Sequence, residues 1–306
     1  MTATGRKKNL GQHYEVSDGS MLLHSSGTGG PSVVFLPGGG MFGLYYWNVH
    51  NLVAEFTTSV VYDRLGTGWS EAVDLPRTGE QVSDDLREVL RAAGVPGPYV
   101  LVGHSLGGLY ARLHAKRFPD EVAGLVLLDP THEDVVDYLP EAEAQRLRDW
   151  NTDALSPAPE QLEAMRSTYR AVFERALAEW PADIREPLLE RGFDTEVYRR
   201  SLLEAKNLPE LFAEVRAAGP ELDVPTFFLS AMGFDAFAEH LVPPAARAAA
   251  VESQKARHRL CTDLAAALPR GEVLRLDDAG HSGIAWVRPD AVVQAIRGVL
   301  ATSSAA

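Results

Sequence analysis

One pentapeptide constrains this chain more than any other feature: Gly103-His104-Ser105-Leu106-Gly107, followed at once by Gly108. It stands between an apolar run, Tyr99-Val100-Leu101-Val102, and a stretch with helical periodicity. A serine set between glycines at such a junction implies a sharp strand-to-helix turn that projects its hydroxyl, with glycines where neighbouring backbone leaves no room for a Cβ. The helix that follows aims its N-terminal amides and the positive end of its dipole at the same point, which suits a developing negative charge. Ser105 is therefore expected to be a nucleophile and Leu106 N–H an oxyanion donor. An incidental glycine-rich turn would account for the five letters alone, but not for the strand before them and the helix after.

The first 130 residues alternate short β-like runs with amphipathic stretches, the pattern left by a mostly parallel sheet covered on both faces. The fold class is α/β. Gln12 to Val16 and Met21 to His24, joined by Asp18-Gly19, predict an antiparallel hairpin at one sheet edge. Buried strands are expected over Ser32 to Leu36, Ser59 to Asp63, Tyr99 to Gly103 and Val122 to Asp129, and later over Val224 to Ser230 and Glu272 to Leu276. Thr78 and Gln81 form a capping box for a helix through Val82, Leu86, Val89 and Leu90 that closes at Gly94 and Pro96.

Between Thr131 and about Pro220 the strand signals vanish, and Met165, Tyr169, Val172, Phe173, Ala176, Leu177 and Trp180 recur at helical spacing. This predicts a helical subdomain over residues 131–220, inserted into a core made of 1–130 and 221–306. Prolines at 140, 157, 159, 181, 187 and 209 are expected to divide it into about four helices. A stripe of Met and aromatic residues is first of all core, though its face can also roof a pocket.

Composition excludes several classes of function. Apolar residues make up 45% and charged residues 23% of the 306, the balance of an ordinary globular protein. The formal charge is −13, and no basic block exceeds Arg6-Lys7-Lys8, so nucleic acid is not an expected partner. Cys261 is the single cysteine and falls in a helical stretch, as a half-buried core residue rather than a reactive one. No run of 18 apolar residues occurs and the first ten residues contain no apolar leader, so a cytoplasmic location and no membrane association are expected. No cofactor motif and no cluster with metal-ligand spacing is present, and the expected partner is a small-molecule substrate.

The strand Ser32 to Leu36 runs into Pro37-Gly38-Gly39-Gly40-Met41. Three consecutive glycines offer backbone N–H groups without obstruction, and Gly39 is the expected second oxyanion donor, with Gly40 the next choice. A phosphate cradle would use similar residues, but no Gly-Lys-Ser/Thr follows.

Taken together, Pro37-Gly38-Gly39-Gly40, Tyr62-Asp63-Arg64-Leu65-Gly66-Thr67-Gly68-Trp69-Ser70, the serine turn and Gly280-His281-Ser282 resemble the α/β-hydrolase superfamily, in the right order and over essentially the full length. Pro37 departs from the histidine that usually precedes the glycines. The resemblance implies an eight-stranded, mostly parallel sheet flanked by helices, with an inserted helical cap. It also implies that His281, in a loop after the last predicted strand, is the general base that a serine hydroxyl needs. His104 is expected to be structural, and His132, close behind the sixth strand, is a weaker candidate.

The orienting acid has two candidates. Most of the superfamily carries it after the penultimate strand, near Asp235, although Gly233 and Asp235 are closer together than the usual pattern. A minority carries it at the end of the sixth strand, which Asp129 in Leu128-Asp129-Pro130 resembles. Asp129 is preferred. Its plain alternative is a carboxylate that caps the loop Pro130 to Glu133. Asp63 and Arg64 read as a structural pair that shapes one wall.

The expected activity is that of a serine hydrolase on a carboxylic ester, thioester or lactone. Serine at the nucleophile position, where dehalogenases and epoxide hydrolases of this superfamily carry aspartate, points to acyl transfer. C–C bond hydrolysis or transfer to an acceptor other than water could use the same residues, and a non-catalytic ligand-binding member of the fold is the remaining alternative.

Overall fold

The computed structural model describes residues 10–150, 156–234, 238–239 and 242–303. Eight strands form one sheet: β1 (Gln12–Val16), β2 (Gly19–Ser26), β3 (Ser32–Leu36), β4 (Ser59–Tyr62), β5 (Tyr99–His104), β6 (Val122–Leu128), β7 (Thr226–Ala231) and β8 (Gly271–Leu276). Their order is β1-β2-β4-β3-β5-β6-β7-β8. β1 pairs antiparallel with β2, and β2 with β4, while every later pairing is parallel. This is the sheet expected from the sequence. Boundaries moved by at most two residues, the most informative shift being in β6, which stops at Leu128 and leaves Asp129 outside the ladder.

Helices cover both faces, because the central strands are apolar on both. Val33, Phe35, Val100, Val102, Val126 and Leu128 enter one core, and Val34, Leu36, Leu101, Leu125 and Leu127 enter the other. Alternate residues of a strand point to opposite faces, so each central strand fills two cores at once. α1 (Trp47–Ala54) and α11 (Pro289–Ser303) lie on the first face, with α10 (Ile284–Val287) between α1 and α11. α2 (Gly79–Ala92) and α3 (Leu106–Arg117) lie on the second, and α9 (Arg247–Ala267) packs on β7 and β8. The start of α2 carries both halves of the capping box, Gln81 N–H to Thr78 Oγ1 at 3.1 Å and Thr78 N–H to Gln81 Oε1 at 3.0 Å. Cys261 is buried in α9, and burial pushes its thiol up to about 12, so it is no nucleophile.

Between β6 and β7 run five helices among the described residues: α4 (Glu141–Arg148), α5 (Pro159–Ala176), α6 (Ala182–Gly192), α7 (Thr195–Ser201) and α8 (Leu208–Ala217). The sequence suggested about four because it treated proline as a divider. Most of these prolines instead open helices: Pro140 and Pro181 precede α4 and α6, Pro159 begins α5, and Pro209 sits in the first turn of α8. A first-turn proline gives up an N–H that would have no intrahelical partner. Pro187 lies inside α6, which continues past it because Ile184, Leu188 and Leu189 are buried.

Candidate active site

β5 delivers Ser105 at the carboxyl edge of the sheet, where α/β proteins build their sites. The residue stands at φ 50, ψ −120, a left-handed backbone that is costly for anything but glycine, so the surroundings must hold it there. Gly103 and Gly107 make that possible. A Cβ on Gly107 would fall 2.1 Å from Leu36 O, and one on Gly103 would fall 2.7 Å from Gly108 Cα. The turn is fastened by Ser105 N–H to Leu128 O at 3.1 Å and Thr131 N–H to Ser105 O at 3.0 Å.

His281 follows β8 and Asp129 follows β6, and the two loops bring them to the serine. His281 Nε2 is 3.0 Å from Ser105 Oγ, and His281 Nδ1 is 2.6 Å from Asp129 Oδ2. Asp129 also leaves its strand in a left-handed conformation, φ 41, which turns its side chain across the end of β7, where Oδ1 accepts the Ala231 N–H at 3.1 Å. Burial raises the Asp129 pKa, but the His281 hydrogen bond, His281 and Arg257 charges and the Ala231 amide outweigh it and hold the group below the ordinary carboxylate value. An ionised carboxylate only accepts, so His281 Nδ1 carries the ring proton and Nε2 keeps its lone pair for the serine hydroxyl. Asp235, the other candidate acid, lies outside the described residues.

The glycine loop after β3 closes the site from the opposite side. Gly38 N–H donates to Tyr46 Oη at 3.1 Å, and Gly40 N–H donates to Glu204 Oε2 at 2.6 Å. Gly40 is therefore occupied as a donor, which corrects its standing as second choice. Among the described residues neither Gly39 N–H nor Leu106 N–H meets a protein acceptor. The two residues are neighbours in space, since a Cβ added to Gly39 would lie 3.4 Å from Leu106 Cδ2.

His104 is buried within this assembly rather than apart from it. Its Nε2 is 2.8 Å from the His281 carbonyl and its Nδ1 is 2.8 Å from Tyr46 Oη. The carbonyl can only accept, so Nε2 carries the proton and Tyr46 donates to Nδ1. Burial drives His104 down to about 3, so it stays neutral. A single donor-acceptor series thus runs from the Gly38 amide through Tyr46 and His104 to the backbone of the candidate base.

The pairing expected of Asp63 and Arg64 does not form. Asp63 accepts N–H groups from Gly43 and Trp69 at 2.8 and 2.7 Å, and burial lifts it to about 6. Arg64 instead pairs with Glu204, from the turn between α7 and α8, at 2.8 Å, and donates to the carbonyls of Pro37 and Gly38 at 2.5 and 2.8 Å. Nothing in the sequence pointed to Glu204, which is 140 residues from its partner.

A cavity of about 250 Å³ opens onto Ser105 and His281. Tyr45, Met165, Tyr169, Phe173, Phe193 and Tyr198 line much of it, so the stripe on α5 does face a pocket. His132 stands elsewhere, buried beside Glu133 and accepting the Asp134 N–H at 3.1 Å. His132, Glu133 and Glu221 are close enough to share a cation. Arg112 pairs with both carboxylates, Glu133 through two bonds of 2.6 and 2.8 Å, and Lys116 adds a second cation to Glu221 at 2.9 Å, which leaves a metal no uncompensated charge. Among the described residues no helix is long and apolar enough to cross a membrane.

Known proteins match this architecture. A stretch of 99 residues is 36% identical to the human (Lyso)-N-acylphosphatidylethanolamine lipase, covering 30% of this chain and 28% of that protein. The chain spans less than half the length of the first curated relatives it matches, 16%, 38% and 46% of each. An esterase from Thermogutta terrifontis superposes with a TM-score of 0.61 at 24% identity, covering 95% of this chain and 99% of the esterase. The enol-lactonase from Burkholderia xenovorans LB400 does so with a TM-score of 0.59 at 18% identity, over 94% of this chain and 100% of its own. At these identities the superpositions establish the fold. The model of the alpha/beta hydrolase family matches residues 33–295, and with that match over most of its length the chain belongs to the alpha/beta hydrolase family.

Proposed function

We propose that the protein is a serine hydrolase that cleaves a carboxylic ester, thioester or lactone of a small organic molecule through an acyl-enzyme. The observation that carries this reading is the continuous series Asp129, His281, Ser105, at 2.6 and 3.0 Å, facing the cavity. His281 Nε2 takes the Ser105 proton as Oγ attacks the carbonyl carbon, and the amides of Gly39 and Leu106 receive the oxyanion. Collapse expels the alcohol or thiol, which takes that proton from His281. Water then gives a proton to His281 and attacks the acyl carbon, and the serine leaves with the proton returned. The relatives named as lipase, esterase and lactonase are in keeping with this chemistry.

Size and polarity narrow the substrate. A cavity of about 150 Å³ holds benzene, so about 250 Å³ admits one ring or a compact branched group together with the ester. No Lys, Arg, Asp or Glu lines it among the described residues, so a charged substituent would lose its hydration without compensation. Uncharged aryl and short acyl esters should therefore be turned over in preference to long-chain ones. A fluorophosphonate should label the wild type and leave Ser105→Ala unlabelled, and 4-nitrophenyl acetate should be hydrolysed faster than the palmitate. If Ser105→Ala keeps the parent's turnover of every ester the parent hydrolyses, the proposal is wrong.

A further inference from the structure

We infer that Glu204 is a positioning residue for the oxyanion loop, so that docking of the α7–α8 turn completes the hole. The inference rests on the serine-hydrolase reading above. Its starting point is a mechanical problem. A run of three glycines has no side chains with which to anchor itself, yet oxyanion donors act only when they are fixed in advance of the reaction. One turn bond lies within the loop, Met41 N–H to Gly38 O at 3.1 Å, and the rest of its anchoring comes from outside. Arg64 grips the carbonyls of Pro37 and Gly38, Tyr46 takes the Gly38 amide, and Glu204 takes the Gly40 amide. Of the amides in the glycine run, Gly39 N–H alone is left without a protein acceptor among the described residues.

Three of these grips come from Arg64 and Tyr46, on the loops that follow β4 and β3, within the sheet core. Glu204 is different in origin, because it sits between α7 and α8. Its carboxylate is 95% buried and bridges the loop and the guanidinium through both oxygens, Oε1 to Arg64 Nε at 2.8 Å and Oε2 to Gly40 N and Arg64 Nη2 at 2.6 and 3.0 Å. A lone carboxylate beside a forming oxyanion would oppose it. Pairing with Arg64 removes that conflict and lets the acid act as an acceptor for the loop without a net negative field. If the α7–α8 turn lifts away, Gly40 loses its acceptor and Arg64 its counter-charge together.

The test separates positioning from mere stabilisation. Glu204→Ala removes both the acceptor and the counter-charge of Arg64, whereas Glu204→Gln keeps an oxygen for the Gly40 amide but sets its NH₂ group against Arg64 Nε–H and leaves the guanidinium without a counter-charge. Rates are expressed per active site titrated to completion with a fluorophosphonate, so that unfolded material is not counted. Glu204→Ala should lose kcat on 4-nitrophenyl acetate by about 100-fold, the scale for a damaged oxyanion hole, with KM little changed. Its affinity for phenylboronic acid, which forms a tetrahedral adduct on the serine, should fall by a similar factor. Glu204→Gln should be less stable than the wild type, because Arg64 loses its counter-charge, yet should recover part of both losses per titrated site, because the Gly40 amide keeps its acceptor. Lowered thermal stability with unchanged kcat and boronate affinity per titrated site would overturn the inference, as would a Gln variant as impaired as Ala. A wild type that the fluorophosphonate fails to titrate would instead remove the serine-hydrolase reading, and this inference with it.

Discussion

Asp129→Asn is the sharpest probe of the proposed triad, because the structure dictates which way the new amide must face. Asp129 Oδ1 accepts the Ala231 N–H at 3.1 Å, a bond that only an oxygen can accept, so the amide oxygen stays there. The NH₂ group then takes the place of Oδ2, 2.6 Å from His281 Nδ1. Two donors cannot share that contact. The imidazole must move its proton to Nε2, where it points at Ser105 Oγ and can no longer accept the serine proton. The fold should survive, since the side chain keeps its shape and its bond to Ala231. Where geometry survives such an exchange the loss in kcat is about 10⁴-fold, equivalent to ~5.5 kcal/mol in the barrier. It should fall on kcat rather than KM, because the substrate does not touch Asp129. Turnover of 4-nitrophenyl acetate at pH 7, with circular dichroism as the control for folding, measures it. A loss below about tenfold in a folded variant would refute the reasoning and assign the orienting acid to another carboxylate, with Asp235 the first to examine.

His104→Phe should keep the ring volume but leave the Tyr46 hydroxyl and the His281 carbonyl without their partner; since small displacements of reacting groups cost up to about 100-fold, kcat should drop roughly 10–100-fold. Urea midpoints should report a further loss of about 1–3 kcal/mol for the orphaned groups, and a variant with wild-type kcat would show that the series through Tyr46 and His104 does not position the base. Acid should destabilise the protein well above the carboxylate range. Burial lowers His50 and His104 to about 3 and His114 and His132 to about 4, so between those values and 6.5 the unfolded chain binds more protons and stability falls with falling pH. At pH 5 each histidine accounts for about 2 kcal/mol of lost stability. Asp63 and Asp85, raised by burial to about 6, bind protons in the folded state and offset about 1 kcal/mol each. The net loss of roughly 6 kcal/mol is a large share of a typical domain's stability, and a urea midpoint that does not move between pH 7 and pH 5 would contradict it.

What the sequence disclosed is what depends on neighbours in the chain. The apolar runs of β3 and β5 are legible because both faces of a central parallel strand are buried, and the start of α2 because a capping box spans three residues. The turn at Ser105 is legible in part for the same reason: Gly103 is forced by the approach of Gly107 and Gly108 within the turn itself, while Gly107 is forced by the Leu36 carbonyl of the adjacent strand β3. The helices between β6 and β7 were less legible, because a proline reads alike whether it ends one helix or opens the next. What decides is where the apolar face must turn, which depends on the packing partner.

The acid and the loop clamp mark a deeper limit. Spacing did not separate Asp129 from Asp235, and what sets Asp129 beside His281 is one backbone angle: at φ 41, Asp129 swings off β6 toward Ala231 and His281 instead of continuing the strand. Arg64 advertised itself in a recognisable turn, yet its sequence neighbour Asp63 was the wrong partner, because Asp63 is consumed by the amides of Gly43 and Trp69. A buried guanidinium has to find its counter-charge somewhere, and here it does so in the turn between α7 and α8. The residues proposed to do the chemistry follow strands and can be found by pattern. Those that hold the glycine loop arrive from elements packed against it in space, so a sequence pattern alone names the candidate donor amides without naming what fixes them.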